Sequence, residues 1–206
     1  MPDKYESFAE LAARETNGRD YRIRALERVG SPVIVVAPHG GGIEIGTSEL
    51  AELVAGPDHS LFLFEGLKPY GGNRDLHITS HRFDHPHCLA MASARDVTLA
   101  IHGCRGNSRI FVGGLDTALT ALLARHLTGA GLEASVDGHR YPGRHPLNIC
   151  NRSARGRGAQ LEITRDLRSQ GARPIVAAAV RAAIEDYLAG IDRCPNRPPL
   201  ALSSRP

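Results

Sequence analysis

Five apolar residues, Val33-Ile34-Val35-Val36-Ala37, run directly into Pro38-His39-Gly40-Gly41-Gly42-Ile43-Glu44, and no other stretch constrains the chain as much. The β-branched run has the length and character of a strand covered on both faces. Thr47-Ser48 then offers a helix N-cap ahead of residues 49–54. The unit reads as strand, loop and helix, with His39 and Glu44 in the loop, where α/β sheets hold their sites. A phosphate-loop reading fails, because neither a following Lys-Ser/Thr nor the G-x-G-x-x-G spacing is present. Three residues without side chains instead let the backbone fold tightly, so that His39 and Glu44 point at one spot. An imidazole and a carboxylate are two of the three protein ligands of a catalytic zinc, whose remaining position is left to water. The bland alternative is a capping histidine beside a surface glutamate.

The pattern recurs. Asp96-Val97-Thr98-Leu99-Ala100-Ile101-His102-Gly103 is again an apolar strand ending in His-Gly. If the two strands are parallel neighbours, both imidazoles lie at one carboxyl-terminal edge. His39, Glu44 and His102 then form a zinc centre with one Zn2+ per chain. A rival cluster is His77, His81, His85 and His87, four histidines in eleven residues. His77 to Ser80 reads as a strand with His77 and Thr79 on one face, and His85-Pro86-His87 as a turn, so His77 is expected to line the pocket.

With 206 residues, 42% of them hydrophobic, one domain over residues 1–193 is expected, and the proline- and arginine-rich residues 194–206 read as a disordered tail. No apolar run is long enough to span a membrane and no signal peptide opens the sequence. The expected location is cytoplasmic, with export by another route left open, and the expected state is monomeric. Cys88, Cys104, Cys150 and Cys194 form no C-x-x-C pair, which argues against a zinc ribbon or a disulfide framework. A net charge of +3, with five tyrosines and five phenylalanines, argues against nucleic-acid binding. Lys4 and Lys68 are the only lysines, whereas Arg152, Arg155, Arg157, Arg165 and Arg168 fall within 17 residues. Such a cluster suits carboxylate or phosphate groups, or forms a solvated loop.

Taken in order, helices are expected over residues 5–16, near 47–55, over 88–95, over 116–127 and over 174–191. Strands are expected over 21–29, 33–37, 60–66, 96–102, 108–113, 132–136 and 159–163, with loops over 67–75 and 138–158. This alternation implies an α/β three-layer sandwich: a mostly parallel or mixed sheet with helices on both faces.

Taken together, His39-Gly-Gly-Gly-Ile-Glu44-Ile-Gly-Thr-Ser-Glu49, His77-Ile-Thr-Ser80, Phe83-Asp84, Ile101-His102-Gly103 and Gln160-Leu-Glu162 resemble the phage-type poly-γ-glutamate hydrolase family over residues 5–190. That family is similar to a trimmed zinc carboxypeptidase. The resemblance implies a carboxypeptidase-like fold, one zinc on His39, Glu44 and His102, and Glu162 as general base. One departure is Phe83-Asp84-His85-Pro86, where Phe-Asp-Glu-Pro is expected. Independently, a carboxylate in the apolar strand around Glu162 is costly without a role or a partner. It either takes a proton from a zinc-activated water or pairs with a nearby arginine. Asn151-Arg152 is similar to the Asn-Arg pair with which carboxypeptidases grip a carboxylate, so Asn151 and Arg152, with His77, are the expected substrate contacts.

The chain is thus expected to be a zinc-dependent hydrolase of the γ-glutamyl amide bonds of poly-γ-glutamate, its partner being the acidic poly- or oligo-glutamate substrate. Two alternatives stay open: a zinc N-acyl amino acid deacylase or peptidoglycan amidase, and a non-catalytic zinc domain that binds an acidic polymer.

Overall fold

The computed structural model describes residues 3–69 and 71–192, and the expected tail lies outside them. Seven strands form one sheet: β1 (Tyr21–Leu26), β2 (Val33–Gly41), β3 (Ser60–Gly66), β4 (Val97–Cys104), β5 (Ile110–Gly114), β6 (Ala134–Ser135) and β7 (Ala159–Thr164), in the order β1-β3-β2-β4-β7-β5-β6. The four central strands are mutually parallel, β1 and β5 run antiparallel to their inner neighbours, and β6 is parallel to β5. The sheet is therefore mixed, with its parallel part in the middle.

Alternation along the strands creates two cores. Val33, Val35, Leu61, Leu63, Leu99, Ile101, Leu161 and Ile163 pack with residues of α2 (Thr47–Ala55), α4 (Thr117–Gly129) and α5 (Arg173–Asp192). The opposite face, with Ile34, Val36, Phe62, Phe64 and Ala100, packs with Leu11 of α1 (Phe8–Arg14) and Cys88, Met91 and Ala92 of α3 (Pro86–Ser93). This is the expected three-layer α/β sandwich. No helix among the described residues is long and apolar enough to cross a membrane, and Cys88, Cys104 and Cys150 are free thiols.

Three expectations about elements are corrected. Residues 77–80 form no strand, because their backbone groups bond outside any ladder: Ile78 O faces His39, Thr79 N–H donates to Asp3 and Ser80 O accepts from Ile149 N–H. The strand expected over 132–136 shrinks to two residues at the sheet edge. Finally, α2 is capped by Gly46 at φ +95°, which Gly alone adopts at little cost. Thr47 is already helical, and its hydroxyl donates to the Glu44 carbonyl at 2.8 Å.

The outer strand pair is fixed by Glu65 of β3. Its carboxylate accepts from Arg22 Nε at 2.7 Å and Arg24 Nε at 2.8 Å while the residue is 3% exposed. Burial works to raise the Glu65 pKa, but Arg24 and then Arg22 outweigh it and hold it at about 2, against an ordinary 4.5. A depressed folded-state pKa adds stability above the unfolded value and loses it as pH falls toward the folded one. Glu65→Gln should thus be clearly less stable than wild type at pH 7, with the gap narrowing by pH 3. Urea midpoints at the two pH values check this, and a gap independent of pH would contradict it.

Candidate metal centre

The strand runs further than expected, so that His39 lies in β2 rather than in the loop, and from Gly40 onward the chain folds as its glycines demand. Glu44 N–H donates to His39 O at 2.9 Å, closing a turn that brings the two side chains together. A Cβ on Gly40 would lie 2.3 Å from Ser48 Oγ, and one on Gly42 2.1 Å from Asn73 Nδ2. Gly41 sits at φ +60°, where a Cβ would come 2.6 Å from the Gly66 carbonyl oxygen.

Strand β4 pairs with β2 in parallel, Val33 opposite Val97 through Val36 opposite Ala100, so the second His-Gly ends at the same edge. His102 Nδ1 lies 3.1 Å from His39 Nδ1 and 3.9 Å from a Glu44 oxygen, and His39 Nδ1 is 3.3 Å from the other. Tetrahedral zinc with ligands at about 2.0–2.1 Å places its donors about 3.3 Å apart. The outer ring nitrogens are engaged too: His39 Nε2–H donates to Ile78 O at 2.8 Å, and His102 Nε2 lies 3.3 Å from Ser80 Oγ. Such partners fix which nitrogen faces a metal. Gly103 N–H donates to Glu44 Oε2 at 2.7 Å, and the missing Cβ leaves room for Arg168, whose Cζ would otherwise be 2.5 Å away.

The electrostatics fit a cation. His39 and His102 are 2% and 1% exposed. Burial lowers His102 to about 3, aided by His39, which keeps it neutral. Burial also opposes charge on His39 and Glu44, yet each holds the other charged, His39 raised and Glu44 lowered to about 2. A proton on His39 Nδ1 would put positive charge where a metal cation would sit. Without that proton, three donors face one point, and the residues fit zinc.

His77 brings a fourth donor atom within 4.8 Å of His39 and Glu44. Its ring stacks on His39 with centroids 4.1 Å apart at 26°, and its Nδ1–H is taken by Asp3 at 2.7 Å. Lone pairs of stacked rings run side by side rather than converging, which makes His102 the better third donor.

Glu162 of β7 stands beside His102, the two being register partners in parallel strands with side chains on one face. Burial and then Glu44 raise its pKa well above the ordinary value, Arg168 opposing them. No ion pair involving Glu162 forms within 4 Å among the described residues. Glu162 opens into a cleft of about 650 Å³ together with His39, Glu44, His77, His102 and Cys104, whose thiol burial pushes up to about 12. Arg74, Arg105 and Arg140 line the same cleft. Two smaller clefts adjoin it, one reaching Lys4 and Asp75, the other His81, Arg144 and His145.

Neither Asn151 nor Arg152 lines these three clefts. The Asn151 amide is spent on backbone: Oδ1 accepts from Leu115 N–H, and Nδ2 donates to Gly143 O and His145 O. The rest of the arginine cluster is largely structural too. Arg155 donates to Tyr187 Oη, Arg157 pairs with Asp116, and Arg168 donates to the carbonyls of Ile163 and Ile45 beneath the site. The cleft arginines escaped sequence reading because they are dispersed. Arg105, three residues beyond His102, carried the one local signal.

A buried imidazole pair and carboxylate at the carboxyl edge of the parallel strands, with a second carboxyl of raised pKa beside them, is an arrangement that hydrolases use. Comparison with known proteins gives the kind: the poly-gamma-glutamate hydrolase profile matches residues 5–173, and the chain belongs to that family. It is 40% identical over 171 residues to the SPbeta prophage-derived UPF0714 protein YoqZ of Bacillus subtilis (strain 168), covering 82% of this chain and 61% of that one. The chain thus spans less than two thirds of that curated relative. The structure of a bacteriophage poly-gamma-glutamate hydrolase matches with a TM-score of 0.86 at 35% identity, over 91% of this chain and 99% of that one. A zinc-free apo form of YndL matches with a TM-score of 0.80 at 35% identity, over 92% and 99%.

Gly41→Ala should damage the centre, since its new Cβ meets a carbonyl that β3 holds in place and its φ is unfavourable. A loss of about 1–3 kcal/mol is expected, read as a lower urea midpoint, together with weaker metal uptake.

Proposed function

We propose that this chain is a zinc-dependent hydrolase that cleaves the γ-glutamyl amide bonds of poly-γ-glutamate, with His39, Glu44 and His102 holding one zinc. The observation that carries the reading is the meeting of those three donors beside Glu162, which has no ion-pair partner within 4 Å among the described residues and whose pKa burial and Glu44 raise. Zinc bound there would supply Lewis-acid chemistry, acidifying a water and polarising the amide carbonyl. The chain's own part in proton transfer falls to Glu162. Its carboxylate, on the strand next to His102, takes a proton from the attacking water and returns it to the departing amine nitrogen. Apolar β-sheet beneath and the neighbouring Glu44 charge make that carboxyl a readier proton carrier than an exposed glutamate.

The substrate class rests on charge. A γ-linked chain presents one free carboxylate per residue, and Arg74, Arg105 and Arg140 stand around the cleft as partners for them. This reassigns the grip that Asn151-Arg152 was expected to supply. The family and the bacteriophage enzyme's substrate support the same choice.

Glu162→Gln should keep its zinc by elemental analysis and lose about 10²–10⁴-fold in turnover. Activity near wild type would remove Glu162 from the proton path. Arg140→Ala should lower kcat/KM on poly-γ-glutamate by about 10–100-fold, the loss of a charge-assisted contact of about 1.5–3 kcal/mol. Arg152→Ala should leave kcat/KM close to wild type. The opposite ranking of the two variants would restore Arg152 as the substrate contact.

A further inference from the structure

Four consecutive residues form a strip against the donor cluster. The His77 ring stacks on His39, the Ile78 carbonyl accepts from His39 Nε2–H, and Ser80 Oγ lies against His102 Nε2. Thr79 N–H turns the other way, to Asp3 Oδ2 at 2.7 Å, while Asp3 Oδ1 accepts from His77 Nδ1–H, also at 2.7 Å. One carboxylate therefore grips the strip on both sides of Ile78. Its own segment is anchored elsewhere. Lys4 Nζ pairs with Asp75 at 2.9 Å, Tyr5 is buried with its hydroxyl on Glu15, and Phe8 N–H donates to Asp84 at 2.6 Å. The Asp3 side chain is only 7% exposed, and none of the three proposed zinc ligands bonds to it.

We propose that Asp3 is a positioning residue of the metal centre, fixing His77 and the Ile78 carbonyl so that the His39 imidazole presents Nδ1 to the ion. The proposal rests on the zinc reading given above. The Ile78 carbonyl selects the His39 tautomer, and the stacked His77 ring limits rotation of His39 about its χ2 bond. Both restraints reach back to one anion. Outer partners of this kind govern metal affinity by about 10–100-fold.

The test measures zinc dissociation constants by chelator competition for wild type, Asp3→Asn, His77→Gln and the double variant, with absorption spectra of the cobalt-substituted proteins. Asp3→Asn should bind zinc about 10–100-fold more weakly and change the cobalt bands, and Asp3→Glu should recover part of the loss. Because the two residues act as one unit, the double variant should bind no more weakly than the weaker single variant. Asp84→Ala, which loosens the same segment at Phe8, should bind zinc as wild type does. Wild-type affinity in Asp3→Asn, additive losses in the double, or an equal loss in Asp84→Ala would each overturn the assignment. Should Asp3→Asn fail to fold, His77→Gln decides alone, wild-type affinity again being the overturning result. A wild-type protein that takes up no zinc refutes the centre itself, a failure distinct from loss confined to the Asp3 variants.

Discussion

A carboxylate that is kept mostly out of water at the end of the central sheet requires a cation beside it, and much of the structure serves that requirement. Glu44 is ionised although burial opposes it, with His39, His102 and the Gly103 amide as its partners. A buried charge of that kind costs several kcal/mol unless it is compensated. The glycine turn delivers Glu44 to His39, parallel pairing of β2 with β4 delivers His102, and Arg168 anchors the loop from below through the Ile45 and Ile163 carbonyls.

The neighbouring carboxyl has the opposite fate for the same physical reason. Glu162 shares the low-dielectric edge with Glu44 but lacks an adjacent cation, so burial and the like charge favour its protonated form. Two acids one strand apart are thereby shifted in opposite directions, Glu44 toward its ionised form and Glu162 toward its protonated one. Strand order produces the difference: β4 lies between β2 and β7, placing His102 next to both the loop and Glu162.

Much of this was legible in the sequence because it is local or strictly periodic. The strand ending in His39, the Gly-rich turn, the second His-Gly and Glu162 in an apolar strand each announce themselves within ten residues. The unbroken apolar run from Val33 to Ala37 implied a strand covered on both faces, and a core lies on each side of it. What could not be read was long-range. The Asp3 grip spans 74 residues to His77, and Arg74, Arg105 and Arg140 meet only through the sheet and its loops. The reading of Asn151 and Arg152 rested on a dipeptide, which has no spacing that reports direction. The Asn151 side chain instead bonds four backbone groups, the amides of Leu115 and Gly158 and the carbonyls of Gly143 and His145.

The departure at His85 is resolved by the same distinction. His85 caps α3, its Nδ1 accepting from Cys88 N–H, and its ring packs at 4.3 Å on Phe8 and 5.0 Å on Phe62. It lines none of the three joined clefts. A glutamate there could cap the helix through its carboxylate, but it could not offer a flat ring to Phe8. Phe8 in turn holds α1 against the β1–β3 side of the sheet through Tyr21 and Phe64. The exchange of glutamate for histidine therefore acts on how the first helix is seated, one packing layer away from the atoms that would meet substrate.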